Sequence, residues 1–186
     1  VHQVHGNRVL TLRHGEAAPK GEQADGLLTD NADLVLSIRT ADCVPVLIGD
    51  RSGRTVAAVH AGWRGVVAGI VPEAIRLFAA RGIAPGQIVM AIGPCISTQA
   101  FEVGEEVAEQ FVRSFADTTS IIRRGVAKPH IDLPAAIMAQ ALRLSLREDQ
   151  IDTTDLCTFR DAELFFSHRR DSGITGRMAA VIAPRA

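Results

Sequence analysis

Short apolar runs recur along this chain and predict a protein rich in β-strands. Several of these runs lack strict alternation of apolar and polar residues, which is typical of strands buried on both faces. The predicted strands are residues 8–12, 34–38, 44–48, 55–60, 88–92 and 178–182.

Helical periodicity is clearest in three segments, at residues 66–81, 103–115 and 134–147. In the first segment the apolar side chains fall on one stripe, and Gly82 ends the pattern. Pro72 lies inside this segment, so we expect either a kink or the start of a second helical half there. For the third segment, Asp132 is a suitable N-cap residue and Pro134 suits the first turn.

The order of the predicted elements favours a mixed α+β domain with a strand-rich core flanked by helices. The first five strands precede the second helix and do not alternate with helices, so a regular doubly wound sheet is disfavoured. We find no repeat, linker or low-complexity tract, so residues 1–186 are predicted to form a single domain. Because a glycine-containing motif follows the first residue almost at once, we also expect an N-terminal segment to be missing.

Composition narrows the function. With 47% hydrophobic and 22% charged residues, the 186-residue chain is able to bury a sizeable core. Lys and Arg total 20 against 21 for Asp and Glu, which gives no general attraction for nucleic acid or for an acidic membrane surface. We therefore expect a small-molecule partner, and the lack of a heptad or exposed apolar stripe favours a monomer.

Cysteine usage and hydropathy predict a cytoplasmic location. Cys43, Cys95 and Cys157 are odd in number and form no CxxC pattern, so a secreted disulfide framework is disfavoured. No apolar stretch approaches the roughly 20 residues needed to span a bilayer. The first residues also lack the pattern of a secretion signal.

Three residues at predicted strand ends or turns form a candidate metal site. His5, Cys43 and His60 offer imidazole nitrogen and thiolate sulfur, the donors that zinc and copper favour. A catalytic zinc site uses three protein ligands and keeps one position open. The structural alternative is that the cysteine is a small buried apolar residue and that each histidine is a satisfied core group.

Two neighbours of these residues are candidate catalytic groups. Asp42 is suited to orienting a ligand imidazole or to acting as a base toward metal-activated water, and its alternative role is that of a turn residue. Arg64 lies between Gly62 and Gly65, where a guanidinium fork can meet phosphate, and a surface arginine is the alternative. Farther along, Arg169 and Arg170 can either reach a substrate or pair with carboxylates.

Seven short motifs that occur in order along the chain resemble those of the YfiH family. This family is also called the multicopper polyphenol oxidoreductase or laccase-domain family, and more recently purine nucleoside phosphorylase. The motifs are Gln3-Val4-His5-Gly6, Ala24-Asp25-Gly26-Leu27-Leu28-Thr29, Ala41-Asp42-Cys43-Val44-Pro45, His60-Ala61-Gly62-Trp63-Arg64-Gly65, Ile92-Gly93-Pro94-Cys95-Ile96, Phe101-Glu102-Val103-Gly104, and the tail Leu164-Phe165-Phe166-Ser167-His168-Arg169-Arg170 with Thr175-Gly176-Arg177. The Ala-Asp-Cys motif and the His-Ala-Gly-Trp-Arg-Gly motif are the most specific.

The resemblance implies a β-sandwich-like core flanked by helices and places the family's metal ligands on His5, Cys43 and His60. It also implies a zinc-dependent purine nucleoside phosphorylase acting on adenosine, inosine, guanosine or methylthioadenosine, with adenosine deaminase activity. Zinc chemistry that activates water suits attack on the purine C6, whereas phosphorolysis needs bound phosphate, for which Arg64 is the candidate.

Three other functions use the same residues. A copper-dependent polyphenol oxidase agrees with the older family name, but six histidines without a His-x-His pair are too few for a multicopper cluster. A metal-free cysteine hydrolase is the second, with Cys43 as a nucleophile activated by His60. The third is a metal-binding protein without catalytic activity.

Overall fold

The computed structural model describes residues 1–16, 20–125 and 127–185. Within these residues the helices are α1 (Trp63–Val67), α2 (Ile70–Ala79), α3 (Glu105–Ser114) and α4 (Leu133–Arg143). The strands are β1 (Val9–Leu12), β2 (Gly26–Thr29), β3 (Leu36–Thr40), β4 (Val44–Asp50), β5 (Val56–Ala61), β6 (Ile88–Ile92), β7 (Ile122–Arg123), β8 (His130–Ile131), β9 (Ile151–Thr153) and β10 (Met178–Ile182).

The main sheet has the strand order β1-β2-β5-β4-β6-β9 and is mixed. Neighbouring strands pair antiparallel from β2 through β5 and β4 to β6. The edge strands β1 and β9 each pair parallel with their neighbour, which is β2 for β1 and β6 for β9. A separate antiparallel ladder joins β3 to β10, and a two-residue ladder joins β7 to β8.

The two faces of the main sheet are covered differently, as strand β5 illustrates. Ala57, Val59 and Ala61 point into the larger core, where the helices pack. Val56 and Ala58 point the other way, into a smaller core shared with β3. Because side chains alternate along a strand, His60 lies on the β3 side with Val56 and Ala58. The arrangement confirms the predicted mixed α+β class, with one sheet face packed against strands and the other against helices.

Most strands agree with the sequence analysis, and the exceptions have physical causes. The strand predicted at residues 34–38 runs instead over Leu36–Thr40, because these are the residues that pair with β10. Val35 is left 68% exposed outside it. The buried strand Gly26–Thr29 was not predicted, since four residues without alternation carry too little signal. The short strands β7, β8 and β9 were missed for the same reason.

The first predicted helix is interrupted. Gly69 adopts a φ of 80° in the left-handed region and separates α1 from α2, so Pro72 falls in the first turn of a second half. Asp132 caps α4 as predicted, because its side chain accepts a hydrogen bond from the Ala135 N–H at 2.8 Å. No helix in the described residues is long and apolar enough to span a bilayer.

Candidate metal centre

The structure brings His5, Cys43 and His60 together. Their potential ligand atoms all lie within 4.8 Å of one another. Two of the three come from adjacent strands: Cys43 immediately precedes β4, and His60 of β5 pairs with Pro45 of β4. The rings of the two histidines meet edge to face, with centroids 4.8 Å apart. The predicted ligand set is therefore one cluster in space.

Asp25, which precedes β2, holds two of the three candidate ligands in place. Its fully buried carboxylate accepts hydrogen bonds from the backbone N–H groups of Val4 at 3.1 Å, His5 at 2.9 Å and Gly6 at 2.7 Å. These bonds stabilise the turn in which His5 adopts a φ of 61°, a conformation that non-glycine residues rarely adopt.

The same carboxylate orients the second histidine. Nδ1 of His60 lies 2.8 Å from Oδ1 of Asp25, which leaves Nε2 for a metal ion. A carboxylate partner of this kind fixes the tautomer and ring orientation of a metal-binding histidine. Burial alone raises the pKa of the Asp25 carboxyl, but the hydrogen bonds from His60 and the backbone outweigh it and lower the pKa below its ordinary value.

The orienting role of Asp25 was not predicted from the sequence, although Asp25 lies within the motif Ala24-Asp25-Gly26-Leu27-Leu28-Thr29. An acidic residue immediately before an unrecognised buried strand was the available signal. The orienting role had been considered for Asp42 instead. In the structure, the carboxylate that contacts a ligand imidazole is that of Asp25.

Gly62 leaves space beside the ligands. A Cβ atom at this position would come within 2.7 Å of the His5 ring and 3.2 Å of the Cys43 sulfur. Any side chain would therefore push the ligands apart. The same loop has a second close approach, because a Cβ on Gly65 would come within 2.8 Å of the Gly6 carbonyl oxygen.

Burial and neighbouring charges set the protonation states of the candidate ligands in the metal-free protein. Burial above all, together with the charges of Asp42 and Asp25, raises the pKa of the Cys43 thiol to about 12, and the charge of Arg177 opposes this rise. A bound metal ion reverses this preference, since coordination deprotonates a thiol outright. Burial also lowers the pKa of His5, as does its neighbour His60, so the ring is neutral and able to bind metal at pH 7.

Asp42 links the ligand loop to the C-terminal part of the chain. Its carboxylate accepts a hydrogen bond from the Thr158 hydroxyl at 2.6 Å and another from the Arg169 backbone N–H at 2.7 Å. The residue is nearly buried and has a φ of 88°. Its proposed action as a base toward activated water stays a prediction.

A cavity of about 700 Å³ opens onto the cluster. Arg64 lies on its wall, exposed to solvent, with its guanidinium 4.4 Å from the ring centroid of Trp63. On another part of the wall, the Arg169 guanidinium lies 5.5 Å from the ring centroid of Phe101. A cavity of about 760 Å³ beside β4, β6 and β9 contains none of the candidate ligands, so we assign the chemistry to the first cavity.

The remaining sequence candidates have structural partners. Arg170 donates to the carbonyl oxygens of Thr158 and Phe165 and pairs with Asp171, which favours the carboxylate-pairing alternative for this residue. Arg169, in contrast, faces the cavity. Cys95 is buried in the larger core, where it packs as a small apolar side chain.

Together the fold and the site define a mixed α+β protein with a candidate three-ligand metal site in an open pocket. Residues 1–185 match the family model described as multi-copper polyphenol oxidoreductase laccase. The chain belongs to this family, and the resemblance found in its motifs is confirmed.

Curated relatives and solved structures agree with this assignment. Purine nucleoside phosphorylase YfiH of Escherichia coli (strain K12) is 40% identical over 183 residues, covering 97% of this chain and 71% of the relative. The crystal structure of YlmD from Geobacillus stearothermophilus is 34% identical with a TM-score of 0.90, over 98% of this chain and 72% of that one. The structure of Bacillus licheniformis hypothetical protein YfiH gives a TM-score of 0.91 at 30% identity, with coverages of 98% and 72%.

Proposed function

We propose that this protein is a zinc-dependent purine nucleoside phosphorylase that also deaminates adenosine, and that it acts as a monomer in the cytoplasm. The observation that carries the proposal is the cluster of His5, Cys43 and His60 at the base of an open cavity with an arginine-rich wall. The names of the relatives, which are purine nucleoside phosphorylases, supply the reaction class.

The donor set fits zinc. Tetrahedral zinc with bonds of about 2.0–2.3 Å places neighbouring ligand atoms roughly 3.3–3.6 Å apart. Ligand atoms that already lie within 4.8 Å of one another therefore need to approach by at most about 1.5 Å, on the same bond lengths. When bound, zinc supplies a Lewis acid that polarises a reacting group or activates water. Three protein ligands leave one coordination position for this chemistry.

The cavity wall supplies groups for both substrates. Trp63 and Phe101 provide aromatic surfaces suited to a purine ring. Arg64 provides the planar fork suited to phosphate, whose oxygen replaces the purine nitrogen at C1′ of the sugar while the base leaves with a proton. For deamination, water attacks C6, Asp42 accepts its proton, and the C6 amino group takes up a proton and leaves as ammonia.

The direct test is elemental analysis of protein purified without added metal, combined with a nucleoside panel assayed with and without phosphate. Phosphate-dependent release of free base supports phosphorolysis, and release of ammonia from adenosine supports deamination. Stoichiometric zinc without either product would overturn the enzymatic proposal and favour a metal-binding protein without catalysis.

Two alternatives make different predictions. A copper-dependent oxidase agrees with the family description, and copper in the protein together with oxygen uptake on a phenol would support it. Within the described ranges, His5, Cys43 and His60 are the one cluster found that suits a metal ion, which favours a mononuclear site. For a metal-free cysteine hydrolase, burial is unfavourable because it raises the pKa of Cys43 to about 12 and removes the reactive thiolate.

A further inference from the structure

Two arginines at the pocket end of the β3–β10 ladder lie on one face of it. Arg39 of β3 pairs with Ala179 of β10, and Arg177 lies two residues before Ala179. Residues two apart along an extended chain share a face, so Arg177, which directly precedes β10, is placed toward the same side of the ladder as Arg39. Both line the cavity that contains the candidate metal ligands.

Their charges have no carboxylate partner among residues 1–16, 20–125 and 127–185. Neither guanidinium takes part in an ion pair there. Arg177 donates to the carbonyl oxygens of Thr175 and Gly176. Two neighbouring like charges are mutually destabilising, and an anion between them would relieve this repulsion.

The pair is held close to the candidate metal ligands. The side chain of Gln3 donates to the Arg39 carbonyl oxygen at 2.8 Å and accepts from the Arg39 N–H at 2.9 Å, which ties β3 to the turn containing His5. Arg177 lies near enough to Cys43 for its charge to oppose the rise in pKa that burial causes in that thiol.

The cavity carries more positive charge than one inorganic phosphate requires. Its wall includes four arginines, which are Arg39, Arg64, Arg169 and Arg177. The acidic residue on the wall is Asp42, whose two oxygens already accept hydrogen bonds from Thr158 and Arg169. A ligand with a second anionic group would match this excess of charge.

We propose that Arg39 and Arg177 form a phosphate-group subsite separate from Arg64. The chemistry recognised is a phosphoryl dianion held by two guanidinium forks. It can belong to inorganic phosphate or to the 5′-phosphoryl group of a purine nucleoside monophosphate. The inference builds on the proposed function because it adds a second anion position to the same pocket.

The test is titration calorimetry on the full, metal-loaded chain with inorganic phosphate, inosine and inosine 5′-monophosphate, each titrated alone, because a purine without a 6-amino group cannot be deaminated and phosphorolysis needs both substrates. Arg39→Gln is the leading variant because its side chain takes part in no hydrogen bond among the described residues, whereas Gln3 bonds its backbone. Arg143→Gln is the matched control, since it removes one exposed positive charge from α4 outside the cavity. Arg177→Lys keeps the charge but loses the fork. Metal content is measured for every variant.

We expect Arg39→Gln to weaken binding by roughly 10-fold or more, as for loss of a charge-assisted hydrogen bond. A loss confined to the monophosphate identifies the 5′-phosphoryl group as the occupant, whereas weaker binding of inorganic phosphate identifies the free anion. The subsite is overturned if Arg39→Gln binds inorganic phosphate and the monophosphate as tightly as Arg143→Gln does. It is also overturned if Arg39→Gln and Arg177→Lys both bind these ligands with the wild-type affinity. Because binding is measured without turnover, a wild-type protein inactive on nucleosides contradicts the proposed reaction and not the subsite.

Discussion

The two walls of the pocket are built by different means. The ligand wall rests on strand register, because Cys43 directly precedes β4, His60 lies on the paired strand β5, and a buried carboxylate holds His5. The second wall includes four cavity-lining residues of the segment 154–177, which are His168, Arg169, Thr175 and Arg177. This segment forms turns rather than regular elements, apart from an isolated bridge at Cys157. Its backbone is fixed by side chains, including Asp42 and Arg170. The comparison suggests that metal binding depends on the first wall and substrate binding on both.

The largest expected effect is the loss of metal when a ligand is removed. We predict that His5→Ala, Cys43→Ala and His60→Ala each abolish stoichiometric zinc binding and activity. The circular dichroism spectrum of each variant should remain that of the native fold. His14→Ala is the matched control because this histidine is exposed outside the cavity. Wild-type metal content in any ligand variant removes that residue from the site.

Acid is expected to release the metal from the ligand wall. Zinc must displace the Cys43 proton, whose pKa burial raises to about 12, so affinity should rise about 10-fold per pH unit below that value. The pKa of His5 is lowered by burial, so its protonation adds a further loss only below about pH 6.5. Chelator competition between pH 5 and pH 8 measures this slope. A metal content that stays constant down to about pH 4 would contradict this ligand set.

Asp25→Asn tests the hydrogen bonds that hold His5 and His60 in place. It removes the charge beside His60 and places an amide NH2 group where a carboxylate oxygen accepts hydrogen bonds from backbone N–H groups, so we expect metal affinity to fall about 10–100-fold. We also expect the free energy of unfolding to drop by about 1–3 kcal/mol. Chelator competition and urea denaturation measure the two effects. Asp30→Asn, at an exposed position, should change neither.

Arg64→Lys should separate the two proposed reactions. The substitution keeps the charge but loses the planar fork, so apparent phosphate affinity should weaken by roughly 10-fold with metal content unchanged. Deamination consumes water rather than phosphate and should suffer less. An equal loss of both reactions would mean that Arg64 positions the nucleoside. If neither reaction is weakened, Arg64 is a surface arginine without a role in the site.

Thr158→Val tests the hydrogen bond that connects the two walls. We expect its effect on activity to be the smallest of these changes. It removes the hydroxyl that donates to Asp42 while keeping the shape of the side chain. We expect the free energy of unfolding to fall by about 1–3 kcal/mol and KM for nucleoside to rise, with zinc content unchanged. Thr153→Val on β9 is the control, since it is exposed and outside the cavity. Loss of zinc in Thr158→Val would contradict the assignment of metal binding to the ligand wall.

The clustering of the candidate ligands could be predicted from sequence, but only in part from residue type. Strand-end positions and donor chemistry made His5, Cys43 and His60 a candidate set, with core packing as the alternative, and the family resemblance favoured the metal interpretation. The role of Asp25 was not predictable from these rules, because it depends on a four-residue buried strand that lacks periodicity.

The second wall could not be predicted in the same way. The partners of Asp42 lie 116 and 127 residues away along the chain, in a segment without helical or strand periodicity. The pairing of Arg39 with Ala179 likewise depends on the register of β3, which the sequence analysis placed two residues too early. Contacts of this kind are set by tertiary packing and not by local pattern.

The position of Trp63 has a spectroscopic consequence. The chain contains one tryptophan and no tyrosine, so the indole is the source of ultraviolet emission excited beyond the absorption of phenylalanine. That indole lines the pocket and lies against the Arg64 guanidinium. Entry of a purine, displacement of the guanidinium or loss of the loop conformation will each alter one optical signal. The protein thus carries a native reporter of its own pocket, and no label has to be introduced to follow the binding steps in real time.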